Sequence, residues 1–321
     1  MNDTSTPAIG VDIGGTKVLA GVVDESGEVL GSVRLQTPHR SMAPDVVEAT
    51  IIEAVTQLRT SHEVGAVGVG AAGFVDAAGE RVAFSPHLSW RDEPLKKALE
   101  VRLGLPVLVD NDANTTAWAE LRFGAARDHR HVLCVTLGTG IGGALILDGS
   151  VYRGGHGMAG EFGHMQVVPQ GRFCECGNRG CWEQYSSGNA LVREARELVT
   201  ARSPAAVRLR ELVDGDPDRL TGAVVTQAAQ AGEQAAIEVF REVGSWLGLG
   251  LAGLCAGFDP ELVVIGGGVS EAGDLLLDPA RESLAHALVG RGFRPLPPVV
   301  RAELGADAGF IGAADLARTA E

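Results

Sequence analysis

Three cysteines crowd into the stretch "FCECGNRGCWE", as Cys174, Cys176 and Cys181, in a chain that has five cysteines in all. His164 lies ten residues ahead of the first. Three thiols and an imidazole are the soft and borderline donors that a tetrahedral zinc ion takes, and Cys₃His is a common closed set. A single histidine is ordinarily a satisfied core or surface residue, but its spacing to a C-x-C-x₄-C cluster favours the ligand reading. Four protein ligands leave no position for water, so such a zinc ion is structural. Gly177 and Gly180 let the chain turn tightly around it. Cys134 and Cys255 sit in apolar runs and read as small core residues.

Two glycine-rich turns supply a second kind of chemistry. "VDIGGTKV" places Gly14 and Gly15 between two apolar strands, with Thr16 and Lys17 closing the turn and Asp12 at the strand end. Backbone N–H groups in such a turn approach an anion closely, Thr16 adds a hydroxyl and Lys17 a charge. Asp12 is suited to hold magnesium through water. "TLGTGIGG" offers the same with Gly138, Thr139 and Gly140. Either turn alone reads more readily as a plain hairpin; the pair is stronger evidence. Neither fits the P-loop pattern, and neither opens a helix as a dinucleotide fingerprint does. Gly267 and Gly268, in "VVIGGGVS", lie between a strand and a helix and present bare backbone suited to an adenosine.

The elements that must position these groups repeat. Residues 9–27 and 133–150 share one plan, strand, glycine turn, strand, polar turn, with Asp12 falling on Thr136 and Gly14 on Gly138. This duplication points to two related halves. After the first hairpin the periodicity predicts a helix with apolar positions 46, 47, 51, 54, 55 and 58, a strand over "GAVGVGAAGFV", a helix from near Pro94, and a strand "PVLVDNDAN" running into a helix. Helices dominate 188–258, followed by strand "ELVVIGGG", a helix, the short strand "PVVRAEL" and a last helix from about Ala308. The expected architecture is α/β, with two mixed sheets in two lobes flanking a central cleft. The run 244–258 is too short and too glycine-rich to span a membrane. It reads as a buried helix whose pairs Gly244/Gly248 and Gly253/Gly257 admit another backbone.

Composition excludes several classes. With 45% hydrophobic and 21% charged residues the chain is an ordinary globular protein, and 321 residues suit two lobes. A net charge of −14 without a basic patch argues against nucleic acid and anionic membranes as partners. "MNDTSTPAIG" lacks the basic flank and apolar stretch of a secretory signal, which places the protein in the cytoplasm.

Taken in order, "GVDIGGTK", "VDNDAN", "TLGTGIGGALILDG", "GMAGEFGHMQV", "CECGNRGCWEQYSSG" and "VVIGGGV" resemble the ROK sugar kinases, most of all the glucokinases of that family. The resemblance runs from residue 9 to about 315. It implies an actin-like, hexokinase-type fold with a duplicated ribonuclease-H-like core. A small lobe would comprise 1–110 and 304–321, and a large lobe with the zinc motif 111–303. It also implies ATP with Mg²⁺, a structural Zn²⁺, glucose phosphorylated at its 6-hydroxyl, and a homodimer or homotetramer. Repressors of the family carry a DNA-binding helix-turn-helix of ~60 residues ahead of the first hairpin. Here that hairpin begins at residue 9, so a sugar-responsive regulator is disfavoured.

Phosphoryl transfer rests on positioning, charge stabilisation and one carboxylate to accept the proton of the attacking hydroxyl. Asn111 and Asp112 emerge at the carboxyl end of a strand, where α/β sheets place ligands. From the residues alone, Asp112 as a helix cap and Asp112 as a base stand level. The resemblance assigns Asp112 as the base and Asn111 as a sugar ligand. A carboxylate accepts from two vicinal hydroxyls, which makes Glu161 and Glu183, at the edges of the knot, sugar-ligand candidates. The resemblance further gives His164 a sugar contact through the ring nitrogen that zinc leaves free, and Gly73 a backbone contact. The chain departs from the family pattern at Ala72, where many members have proline, and at His87, where relatives often have asparagine near the sugar entrance. His87 therefore bears on sugar preference, with fructose, mannose or N-acetylmannosamine as the competing acceptors.

Overall fold

The computed structural model describes residues 6–320. The chain divides into two compact units. One holds the described chain up to Cys134, Ala144–Gly160 and the end from Ala302; the other holds Val135–Gly143 and Glu161–Arg301. Residues 1–5 and 321, which fall in the small lobe expected from the sequence, lie outside the described residues.

The first unit opens with the meander β1 (Ala8–Ile13), β2 (Lys17–Val23) and β3 (Val29–Gln36). Then come α1 (Pro44–Arg59) and β4 (Val67–Ala71). A small antiparallel sheet comes next, β5 (Phe74–Val75), β6 (Val82–Phe84) and β7 (Arg91–Glu93), then α2 (Leu95–Leu103), β8 (Val107–Asn111) and α3 (Asp112–Phe123). The main sheet runs β3-β2-β1-β4-β8, with β1 parallel to β4 and β4 parallel to β8. The i, i+4, i+7 pattern of α1 buries Val47, Ile51, Ala54, Val55 and Leu58, while Val46, apolar in the same pattern, is only half-buried and Glu48 is buried beside it. Two helical crossovers bring the carboxyl ends of β1, β4 and β8 to one edge, so Asp12, Gly73 and Asn111 gather there.

The second half of the chain builds a sheet of order β11-β10-β9-β12-β13 from β9 (Val132–Leu137), β10 (Ile141–Leu147), β11 (Ser150–Val151), β12 (Leu262–Gly266) and β13 (Val299–Arg301). Asp148 and Gly149, both at positive φ, make the two-residue turn from β10 to β11. Between β11 and β12 lie α4 (Gly188–Thr200), α5 (Val207–Leu212), α6 (Gly222–Gln230) and α7 (Gln234–Phe258). The last helices are α8 (Asp274–Ala287) and α9 (Ala308–Thr319).

Glycine decides two of the helix contacts. A Cβ at Gly10 or Gly68 would overlap the carbonyls of Phe310 and Ala313, so α9 lies with its backbone directly on β1 and β4. Likewise Gly244 and Gly248 let α7 press on the backbone of α8 at Leu276 and Ala280. The second pair expected to do this does not: a Cβ at Gly253 or Gly257 would meet nothing within 4 Å. These two face outward: Gly253 lies nine residues after Gly244, about half a turn round the helix, so this pair sits on the exposed side away from α8. Among the described residues no helix is long and apolar enough to cross a membrane.

Candidate active site

The D-N-D sequence sits at the junction of β8 and α3. Asn111 is the helix cap: its Oδ1 accepts the N–H groups of Ala113 (2.9 Å) and Asn114 (3.2 Å). Its Nδ2 donates to Gly73 O (3.1 Å), which leaves one amide N–H for a ligand. The capping role that the sequence left open for Asp112 thus belongs to its neighbour. Gly73 has φ 152, and a Cβ there would lie 2.5 Å from Phe84 O, so only glycine fits.

Asp112 stands in the first turn of α3, where its carboxylate takes the Ala113 N–H (3.0 Å). Burial raises its pKa to about 6, against the pull of that N–H and of His87. Asp12 is raised further, to about 7, by burial and by the charge of Asp112, with Lys17 opposing. The cover over Asp12 includes the start of α9, where a Cβ on Gly309 would lie 2.7 Å from its carboxyl carbon. Asp12 thus offers a half-buried carboxylate oxygen, the kind of hard donor that magnesium takes.

Asp110 and Arg153 escaped the sequence reading. Asp110 is 3% exposed; its Oδ1 accepts Asn111 N–H (2.8 Å) and Asn114 Nδ2 (2.8 Å). Its Oδ2 takes the Arg153 guanidinium at 2.9 and 2.6 Å. This bidentate pair, buried on the Asp110 side and half-buried at Arg153, braces the strand-to-helix turn that presents Asp112. An acidic residue ending an apolar strand was the available signal for Asp110. Nothing in the sequence pointed to Arg153, 43 residues away.

In the first glycine turn Gly14 N–H donates to Lys17 O (3.1 Å), and Thr37 Oγ1 donates to Gly14 O (2.8 Å). Gly15 and Thr16 are exposed. A Cβ on Gly15 would stand 2.9 Å from His87 Cβ, so His87 rests on the turn while its charge also acts on Asp112.

The second unit carries the knot. One ligand atom each from His164, Cys174, Cys176 and Cys181 lies within 4.8 Å of the others. Cys176 and Cys181 sulfurs are 3.6 Å apart, and Cys174 Sγ is 3.7 Å from His164 Nδ1. A tetrahedron of ~2.3 Å bonds sets its sulfurs ~3.8 Å apart, so the four residues fit zinc. Burial raises the Cys174 and Cys181 thiols; at Cys176 burial is outweighed by the Asn178 N–H and the neighbouring thiols. Gly177 and Gly180 both take positive φ here.

His164 turns Nδ1 to the knot and Nε2 outward, 3.9 Å from Glu161 Oε2. Glu183 Oε1 lies 3.7 Å from His164 Nδ1 and 3.1 Å from Cys174 Sγ. The second glycine turn is braced by residues just beyond the knot. Gly188 N–H donates to Gly138 O (2.8 Å), Asn189 N–H donates to Thr139 O (3.3 Å), and a Cβ on Gly140 would overlap Glu183 Oε2.

A cavity of ≈ 580 Å³ opens beside this turn, walled by Leu137, Gly138, Leu191, Gln227, Gly268 and Val269. Gly267 is one residue back, at φ 81, against the backbone of Leu137. Thr139, Gly140 and Gly267 are not among the lining residues. Leu191 and Gln227 project from helices, where single sequence positions carry no signal for such a wall.

Duplicated hairpins, mixed sheets and helical crossovers define an actin-like α/β protein. The ROK family model matches residues 8–320, and the chain belongs to the ROK family. It is 49% identical over 310 residues to a glucokinase of Streptomyces coelicolor, covering 97% of each chain. Against a glucokinase of Thermotoga maritima the identity is 36% over 309 residues, 96% of each. The crystal structure of a ROK family glucokinase from Streptomyces griseus in complex with glucose and AMPPNP superposes with a TM-score of 0.89 at 49% identity, covering 97% of this chain and 99% of that one.

Proposed function

We propose that this chain is a glucokinase, transferring the terminal phosphoryl group of ATP to the 6-hydroxyl of glucose with Asp112 as general base. The observation that carries the reading is Asp112 itself: it is not the helix cap, it is held in place by Asp110 and Arg153 through the turn, and burial keeps it at about 6. A carboxylate with that proton affinity is ionised at neutral pH and still a competent acceptor. The relatives named glucokinase, and the glucose and AMPPNP bound to the Streptomyces griseus enzyme, support the substrates.

In this reading Asn111, Glu161, His164 and Glu183 bind sugar hydroxyls, and the Gly73 backbone contributes a contact. The cavity beside Gly138 and Gly268 receives the nucleoside, which favours ATP over a polyphosphate donor. Gly14, Gly15, Thr16 and Lys17, with Gly138, Thr139 and Gly140, hold the phosphates. Asp12 is the residue that would hold magnesium, whose charge offsets that of the phosphates. His164, Cys174, Cys176 and Cys181 hold zinc in a closed, structural site. A coupled ADP-release assay with glucose tests the reading directly, and absence of turnover in zinc- and magnesium-replete protein would end it.

Another hexose as acceptor is the second reading. His87 supports it, because an imidazole placed on the phosphate turn beside the base is well placed to alter which hydroxyl pattern is accepted. Turnover of glucose, fructose, mannose and N-acetylmannosamine compared side by side decides it. The oligomeric state follows family habit, a homodimer or homotetramer, and sedimentation at micromolar concentration checks it.

A further inference from the structure

Trp182 stands between the knot ligand Cys181 and Glu183, in the 3₁₀ turn Trp182–Gln184. Its ring is fully buried, and its Nε1–H donates to Trp246 O in α7 (2.7 Å). In a regular helix that carbonyl accepts the N–H four residues on, at Gly250. A Cβ on Gly250 would overlap the Cε2, Cζ2 and Nε1 edge of the indole. The ring therefore fills a notch in α7 that only glycine leaves open.

The main chain of the turn is held as closely. Trp182 N–H donates to Met165 O (2.8 Å), next to His164. Trp182 O accepts from Tyr185 N–H (2.9 Å) and Ser186 N–H (3.0 Å), and Ser186 Oγ donates to Val243 O in α7 (3.0 Å). A metal ion fixes Cys181 at its sulfur alone, a point about which the next residues can still rotate. The notch, together with these main-chain bonds, removes this rotation.

From this geometry we infer that Trp182 is a positioning residue: its seat in the Gly250 notch sets where the Glu183 carboxylate stands between His164 and Gly140, so α7 governs sugar affinity independently of metal occupancy. The inference rests on Glu183 as a sugar ligand. Small displacements are costly here, because misplacement by ~1 Å can lose on the order of 10²-fold in an enzyme site.

The test compares Trp182→Phe, Gly250→Ala, the double variant and Glu183→Gln. Each is assayed for zinc per chain, thermal unfolding, nucleotide KM, sugar KM and kcat. Trp182→Phe and Gly250→Ala are each expected to raise sugar KM about tenfold with nucleotide KM within about twofold and zinc content intact. The double variant should be less impaired than the two effects combined, since the added methyl occupies space the indole edge has left. Should Trp182→Phe be recovered unfolded, Gly250→Ala, which adds one methyl, carries the same comparison. Sugar KM within twofold in the single variants, or rising only in step with zinc loss, overturns the inference. Glu183→Gln separates the two levels: unchanged sugar KM there refutes the ligand assignment itself. A raised KM there beside an unaffected Trp182→Phe refutes only the role of Trp182.

Discussion

The two glycine turns descend from one plan and do different work. In the first, charge surrounds the glycines: Asp12 leads in, Lys17 leads out, and His87 rests on Gly15. In the second, Thr136 replaces the aspartate, and the turn is instead tied by its own carbonyls to Gly188 and Asn189, with Glu183 against Gly140. A duplicated hairpin thus keeps its backbone donors in both copies and divides the rest. One copy gathers charge around its turn; the other supplies a rigid mount joined to the knot.

That contrast can be broken at either end. The largest effect is expected at Asp112: Asp112→Asn should lower kcat by ~10³-fold while sugar affinity changes little. A variant with near wild-type kcat would remove the base from the first half. The same substitution has a signature in stability. Burial raises Asp112, so its ionised form burdens the native state at pH above about 6, and that burden fades as pH falls toward ~4, where the unfolded chain also takes up the proton. Asp112→Asn should therefore stabilise the fold at pH 7 to 8 by ~1 to 3 kcal/mol and lose that gain near pH 4. Thermal melts across this range check it.

Next comes the knot. Cys176→Ser should lose zinc, lower the melting temperature by several degrees and raise sugar KM at least ~10-fold, with nucleotide affinity retained. Unchanged glucose affinity in zinc-free protein would separate the mount from the sugar site. At the charged turn, Asp12→Asn should raise the magnesium needed for half-maximal rate by ~10-fold, with no change in zinc content. Because Asp12 is raised to about 7, wild-type magnesium affinity should weaken as pH falls through 7, and the variant should lose that dependence.

The smallest effects concern Asp112 and its neighbour. Log kcat/KM should fall with unit slope below about pH 6, as the base becomes protonated. His87 holds Asp112 down, so His87→Asn should move this limb to slightly higher pH and shift the preference among hexoses a few-fold. An unmoved limb would show that His87 only packs on Gly15.

Much of this was legible in one dimension. Apolar runs and period-3.6 patterns placed β1, β2, α1, β8, α7 and β12, because burial leaves its mark residue by residue, on one face of α1 and on both faces of β1 and β12. Spacing also exposed the knot, since here three of the ligands fall within eight residues and the fourth lies ten before the first. The capping of α3 was not legible, because Asn111 and Asp112 are both good caps and only the hydrogen bonds choose between them. The same holds for the outward-facing Gly253 and Gly257, identical in pattern to the pair that packs.

By itself, then, the sequence determined the residue types, the local periodicities and the repeated hairpin, all properties of neighbours along the chain. Tertiary structure decided which carboxylates are buried together, that Arg153 reaches Asp110, and that Trp182 seats in α7. Those depend on contacts between residues far apart in the chain, whose desolvation and hydrogen bonds exist only once the backbone has brought them together.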